Sequence, residues 1–161
     1  MIETRNRDRT LMKGRIKIEL FDEAGNLKEM YEKDNTFMAV GDAHVADQLD
    51  VSPDEAVMGF MSVGTGTTAF TTASTTLNSE IDRNSLNGSY PDQALGADDN
   101  DIVYKANWAA GDATDALTEA GIFNSSVTDQ GTMLAASTFS VINKGASDTL
   151  TITWTVTVGA S

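Results

Sequence analysis

Glu80, Arg83 and Glu119 are the side chains of this sequence whose types could do chemistry together. Two carboxylates flanking a bond are the equipment of a glycosidase, one serving as acid and the other as nucleophile. Glu119, however, sits in Ala116-Leu117-Thr118-Glu119-Ala120-Gly121-Ile122-Phe123, a run of small and apolar residues. A carboxylate there is costly unless it is paired and hydrogen-bonded. The expectation is therefore a structural ion network in which Arg83 bridges Glu80 and Glu119, pinning one or two helical turns at 77–83 to a sheet.

Other groupings are weaker. Asp98, Asp99 and Asp101 form the densest acidic cluster, and hard cations prefer carboxylate oxygen. The spacing lacks the glycine and distal glutamate of a calcium loop, so a solvated loop is the default and cation binding an alternative. His44 is the sole histidine, with Asp47 three residues on. Two ligands fall short of a transition-metal site, and the reading is a solvent-facing helix residue. Gly64-Thr65-Gly66-Thr67-Thr68 lacks the lysine of a phosphate loop and reads as a tight turn in which glycine permits positive φ. Tyr90 and Trp108 could present aromatic faces to a glycan, with Trp108 undecided between platform and core. With one histidine, no cysteine and no nucleophile motif, the expectation is a protein that is not an enzyme, with no cofactor and no assigned metal.

The elements that must position these residues read as mainly β. Thr149 to Val158 alternates threonine with Leu150, Ile152, Trp154, Val156 and Val158, so one face is apolar and the other hydroxylated. Burying that apolar face contributes on the order of 8–15 kcal/mol gross. Lys13–Leu20 alternates likewise, and Asp22–Asn26 supplies the turn of a hairpin returning through Leu27–Glu32. Residues 41–49 predict a short helix with Val45 and Leu49 on one face, and Pro53 opens a turn or a second short helix. Strands are expected at 59–63, 102–108, 116–123, 132–142 and 149–158, with a long turn-rich excursion over 84–100. The fold class is an antiparallel β-sandwich, jelly-roll-like, with one or two short helices in the amino-terminal half.

A chain of 161 residues suits one domain, here 13–161, preceded by a basic arm, 1–12. The arm carries Arg5, Arg7 and Arg9 in a chain of formal charge −13. Such a charge repels phosphate backbones, so nucleic acid is not an expected partner. No apolar run is long enough to span a membrane, and the first residues lack the apolar core of a signal peptide, so a soluble protein made in the cytoplasm is expected. The arm suits contact with an acidic partner or a neighbouring copy.

Several blocks in order resemble a family of small virion proteins of tailed phages and related viruses. They are Lys13-Gly14-Arg15-Ile16-Lys17-Ile18-Glu19-Leu20 with Asp22 and Gly25; Asn35-Thr36-Phe37 with Gly41; and Met61-Ser62-Val63-Gly64-Thr65-Gly66-Thr67-Thr68-Ala69 with Leu77, Glu80 and Arg83. Glu119–Asn124, Gly131–Ala135, Phe139, Lys144, Asp148, Leu150 and the Thr/Trp strand complete the series. The resemblance spans about residues 13–158. It departs at Ala136, where such proteins often carry arginine. It implies a non-enzymatic structural protein of the virion, bound as a homo-oligomer to the major capsid protein as an outer decoration or turret. Two alternatives are a tail, baseplate or fibre protein and a carbohydrate-binding module on a viral spike.

Overall fold

The computed structural model describes residues 12–93 and 98–159. Nine strands and one helix follow in chain order: β1 Met12–Phe21, β2 Leu27–Asp34, β3 Thr36–Phe37, α1 Ala39–Gln48, β4 Phe60–Gly64, β5 Glu80–Ser85, β6 Asp101–Trp108, β7 Ala116–Phe123, β8 Met133–Asn143 and β9 Thr149–Val158. They form two antiparallel sheets, β2-β1-β9-β6 and β3-β8-β7-β4-β5. The expected sandwich is present, and its first strand opens at Met12 rather than Lys13.

The alternating sequences set the register. Ile16, Trp154 and Tyr104 face one another across β1, β9 and β6, as do Ile18, Ile152 and Ala106, and Leu20, Leu150 and Trp108. A one-residue slip would turn every one of these side chains outward, so the apolar face fixes the pairing. The rows pack against Met61, Val63, Ala120, Ile122, Phe139 and Ile142 of the second sheet. Trp154 is fully buried, and its indole N–H donates to Asn35 Oδ1 at 2.7 Å. Gly14 leaves room for that amide, since a Cβ there would stand 1.8 Å from Asn35 Oδ1.

A second apolar cluster lies on the other side of the second sheet. Alternation along β7 sends Ala120 and Ile122 into the main core and Glu119 and Gly121 the opposite way. The irregular segment 66–79 crosses that outer face. It lays Leu77 and Phe70 against Phe123, Met133, Ala136 and Met38. Ala136 is thus fully buried.

Two expectations about elements need correction. Residues 80–85 are an edge strand, not helical turns, paired with β4. A regular strand would set Glu80 and Arg83 on opposite faces. A register shift opposite Val63/Gly64 instead brings both side chains to one side of the strand. The helix runs 39–48, and its packed face is Gly41, His44 and Val45 rather than Val45 and Leu49. Gly41 is required there because a Cβ would meet Leu134 O at 2.5 Å. The chain around Pro53 is irregular rather than helical, and α1 is the one helix among the described residues. It is far too short to cross a membrane, and no described helix is long and apolar enough to do so.

Candidate interaction surface

Glu119 is fully buried, as its surroundings in the sequence implied, but Arg83 does not bridge it to Glu80. Its carboxylate accepts the backbone N–H groups of Ser79 at 2.7 Å, Asn78 at 3.0 Å and Gly66 at 3.1 Å, and the Asn78 side-chain amide at 2.9 Å. One anion thereby satisfies both ends of the covering segment 66–79, whose irregular backbone has few partners of its own. Gly64 and Gly66 serve this contact. Neither adopts positive φ; Cβ atoms would lie 2.3 Å from Ser79 O and 2.4 Å from Asn78 Cβ. The Gly-Thr-Gly turn is therefore explained by close approach, not by φ.

Glu80 and Arg83 do pair. Arg83 Nε and Nη2 donate to the two Glu80 oxygens at 2.7 Å each, with both side chains almost wholly buried. Arg83 Nη1 donates to Ser125 O and Gln130 O, and the guanidinium lies 3.9 Å from the centre of the Phe123 ring. Asp129 N–H closes back on Glu80 Oε2. The pair holds loop 124–132 by its backbone, which suits a planar five-donor group.

A second brace holds loop 49–58. Asp47 accepts the N–H groups of Asp54 and Glu55, at 3.0 Å each, and those bonds hold its carboxyl below the usual aspartate range. Gln48 Nε2 donates to Glu55 O. Glu55 Oε2 lies 3.0 Å from His44 Nδ1 and accepts from Asn124 Nδ2. Asn124 Oδ1 in turn accepts Thr132 N–H. His44 is therefore not the solvent-facing residue expected; it is buried, tying helix to loop. Through Asn124 the two loops share one end of the sandwich.

That end carries the most exposed apolar side chains described. Leu49 is 84% exposed, Val51 98% and Val57 65%, and Val127 on the neighbouring loop is half exposed. Loop 49–58 also carries the exposed carboxylates of Asp50 and Asp54. No lysine or arginine occurs between Lys33 and Arg83. The helical period pairs Leu49 with Val45, and Val57 stands apart from Leu49 and Val51, so periodicity does not single out the three together. The signal that was available is Leu-Asp-Val-Ser-Pro-Asp, where apolar residues interrupt a turn.

The remaining candidates resolve differently. Trp108 is fully enclosed in the core and Tyr90 packs partly buried against it, so the two do not form a platform for a glycan. Asp101 is buried, accepting the Thr157 hydroxyl and the Asp98 N–H. Among the described residues no three acidic, histidine or cysteine side chains converge as metal ligands. Arg5, Arg7 and Arg9 lie outside the described residues.

A recess of about 250 Å³ at the opposite end is lined by Lys28, Thr114, Asp115, Asn143, Lys144 and Asp148. Lys28 Nζ pairs with Asp148 at 2.7 Å; that bond, with Gly145 N–H, lowers the Asp148 pKa. Lys144 is buried with its ammonium on Ala109 O, and burial lowers its pKa against the pull of Asp112, Asp148 and Asp82. Both cations have partners within the fold.

No protein-family profile, curated protein or solved structure matches the chain.

Proposed function

We propose that the chain is a non-enzymatic structural protein of a tailed-virus particle, bound to the outside of the shell as a homo-oligomeric decoration. The observation that supports this reading is the braced end of the sandwich. Loops 49–58 and 124–132 are fixed by buried ionic and amide side chains while Leu49, Val51 and Val57 face solvent. Ordering a loop has an entropic cost, and exposing three apolar groups on it gains an isolated monomer nothing. A subunit that assembles recovers both, because a preorganised surface loses less freedom on binding. The resemblance of the ordered sequence blocks to virion proteins gives this assembly its setting. Many copies, each with a modest contact, would act together across the shell. The buried carboxylates of Glu80 and Glu119 point the same way, since each is spent on holding backbone rather than left to meet a substrate.

The experiment is co-sedimentation of the purified full chain with particles lacking it. The full chain is expected to pellet with the particles, and a Leu49→Ser/Val51→Ser/Val57→Ser variant to stay in the supernatant while retaining the native circular dichroism spectrum. Equal pelleting of both would remove the braced end from the account, and no pelleting of the full chain would remove the shell.

A further inference from the structure

The braced loop has a chemical complement within the same sequence. Its apolar side chains share the loop with the exposed carboxylates of Asp50 and Asp54, in a stretch without lysine or arginine from 34 to 82. Residues 1–11 carry Arg5, Arg7 and Arg9 together with the apolar Met1, Ile2 and Leu11. Residues two apart share one face of any extended segment, so this alternation can present three guanidiniums side by side. Guanidinium pairs well with carboxylate, and apolar groups on both partners supply the desolvated contact that charges alone do not.

Placement agrees with the chemistry. The chain enters β1 at Met12, beside Asn35, whose N–H is bonded to Gly14 O. Three residues on, Met38 N–H is bonded to Leu134 O at the start of α1. Gly59 N–H, at the far side of the loop, is bonded to Phe123 O, and Phe123 pairs with Met133. The start of β1 and loop 49–58 therefore belong to the same end of the sandwich. Eleven residues span up to about 36–40 Å when extended, enough to leave one subunit and reach the next.

We propose that the apolar, acid-bearing loop 49–57 is the receptor for the basic segment 1–11 of a neighbouring copy. This rests on the reading of the chain as a self-assembling subunit and adds the contact by which copies join. Arm and receptor on every copy make a heterologous contact, which closes into a ring or continues along a surface according to its rotation.

The test uses full-length protein in solution without particles, so its failure leaves the co-sedimentation result standing. A fluorescent peptide of residues 1–12 is titrated into the full chain bearing Arg5→Glu/Arg7→Glu/Arg9→Glu, whose own arm no longer competes. Saturable binding is expected. It weakens with added salt as the screening length falls from about 10 Å at 0.1 M to about 3 Å at 1 M. Adding Leu49→Ser/Val51→Ser/Val57→Ser to the receiving chain is expected to weaken binding by roughly tenfold or more. These side chains are exposed, so the fold has no stake in them. Sedimentation velocity of the unaltered chain should show self-association that either triple variant abolishes. Absent peptide binding, binding indifferent to the loop residues, or peptide binding by a chain that stays monomeric would each overturn the proposal.

Discussion

Replacing Glu119 by alanine is expected to lower stability by about 3–5 kcal/mol, among the largest effects of any single polar substitution in this fold. The carboxylate is fully enclosed and accepts four N–H donors, three of them backbone. An unpaired buried donor costs about 1–3 kcal/mol, and water reaching part of the gap limits the sum. The loss spreads beyond the hydrogen bonds. Segment 66–79 would no longer be tied at Gly66, Asn78 and Ser79, and it is this segment that lays Phe70 and Leu77 over Phe123 and Met133. In a domain of this size 1 kcal/mol moves the melting temperature by about 2–4 °C, so a fall of about 10 °C is expected. Hydrogen exchange should quicken first at the amides of Gly66, Asn78 and Ser79. Glu119→Gln keeps the volume and one acceptor oxygen and should fall between the two. A melting curve unchanged by the alanine substitution would mean that the anion does not hold the cover.

The second large effect is at Arg83. Changing it to methionine retains much of the contact with Phe123 but strands Glu80, whose side chain is fully buried, without its counter-charge. Removing one partner of a buried ion pair costs about 3–5 kcal/mol, because the remaining charge is left uncompensated. It also releases Ser125 O and Gln130 O, so loop 124–132 should loosen in the same variant. Combining Arg83→Met with Glu80→Leu separates the two contributions. Stability is expected to recover in part, since an apolar pair of similar volume avoids the stranded charge, while the loop stays loose. A double variant no more stable than Arg83→Met alone would show that the loop bonds, and not the ion pair, carry the effect.

The two substitutions also mark where the sequence was readable and where it was not. Strands β1, β6 and β9 follow from alternation, because the period-two rule acts on neighbours in the chain. The hairpin at Asp22–Asn26 follows from turn chemistry of the same short range, with Gly25 at φ +83°. The burial of Glu119 was legible for a similar reason, from its small and apolar flanks. Its partners were not. They are backbone N–H groups some 40 and 53 residues away, which no residue type advertises. Arg83 was the visible cation and so was assigned the role that Gly66, Asn78 and Ser79 perform. The helical reading of 77–83 failed because residues 80–85 pair with β4, a long-range contact that no local residue pattern announces. His44 looked solvent-facing since the small residues beside it, Gly41 above all, hide how closely α1 approaches β8. Trp108 became core through its pairing with Leu150, a contact set by the fold of the whole sheet.

On the proposed reading, this sandwich is one of many copies on a particle. Quantitative mass spectrometry of purified particles tests that most directly. The chain is expected in particles at a stoichiometry comparable with the shell subunit; a tail-like stoichiometry would move it to the alternative position. Abundance in infected cells with absence from washed particles would contradict it.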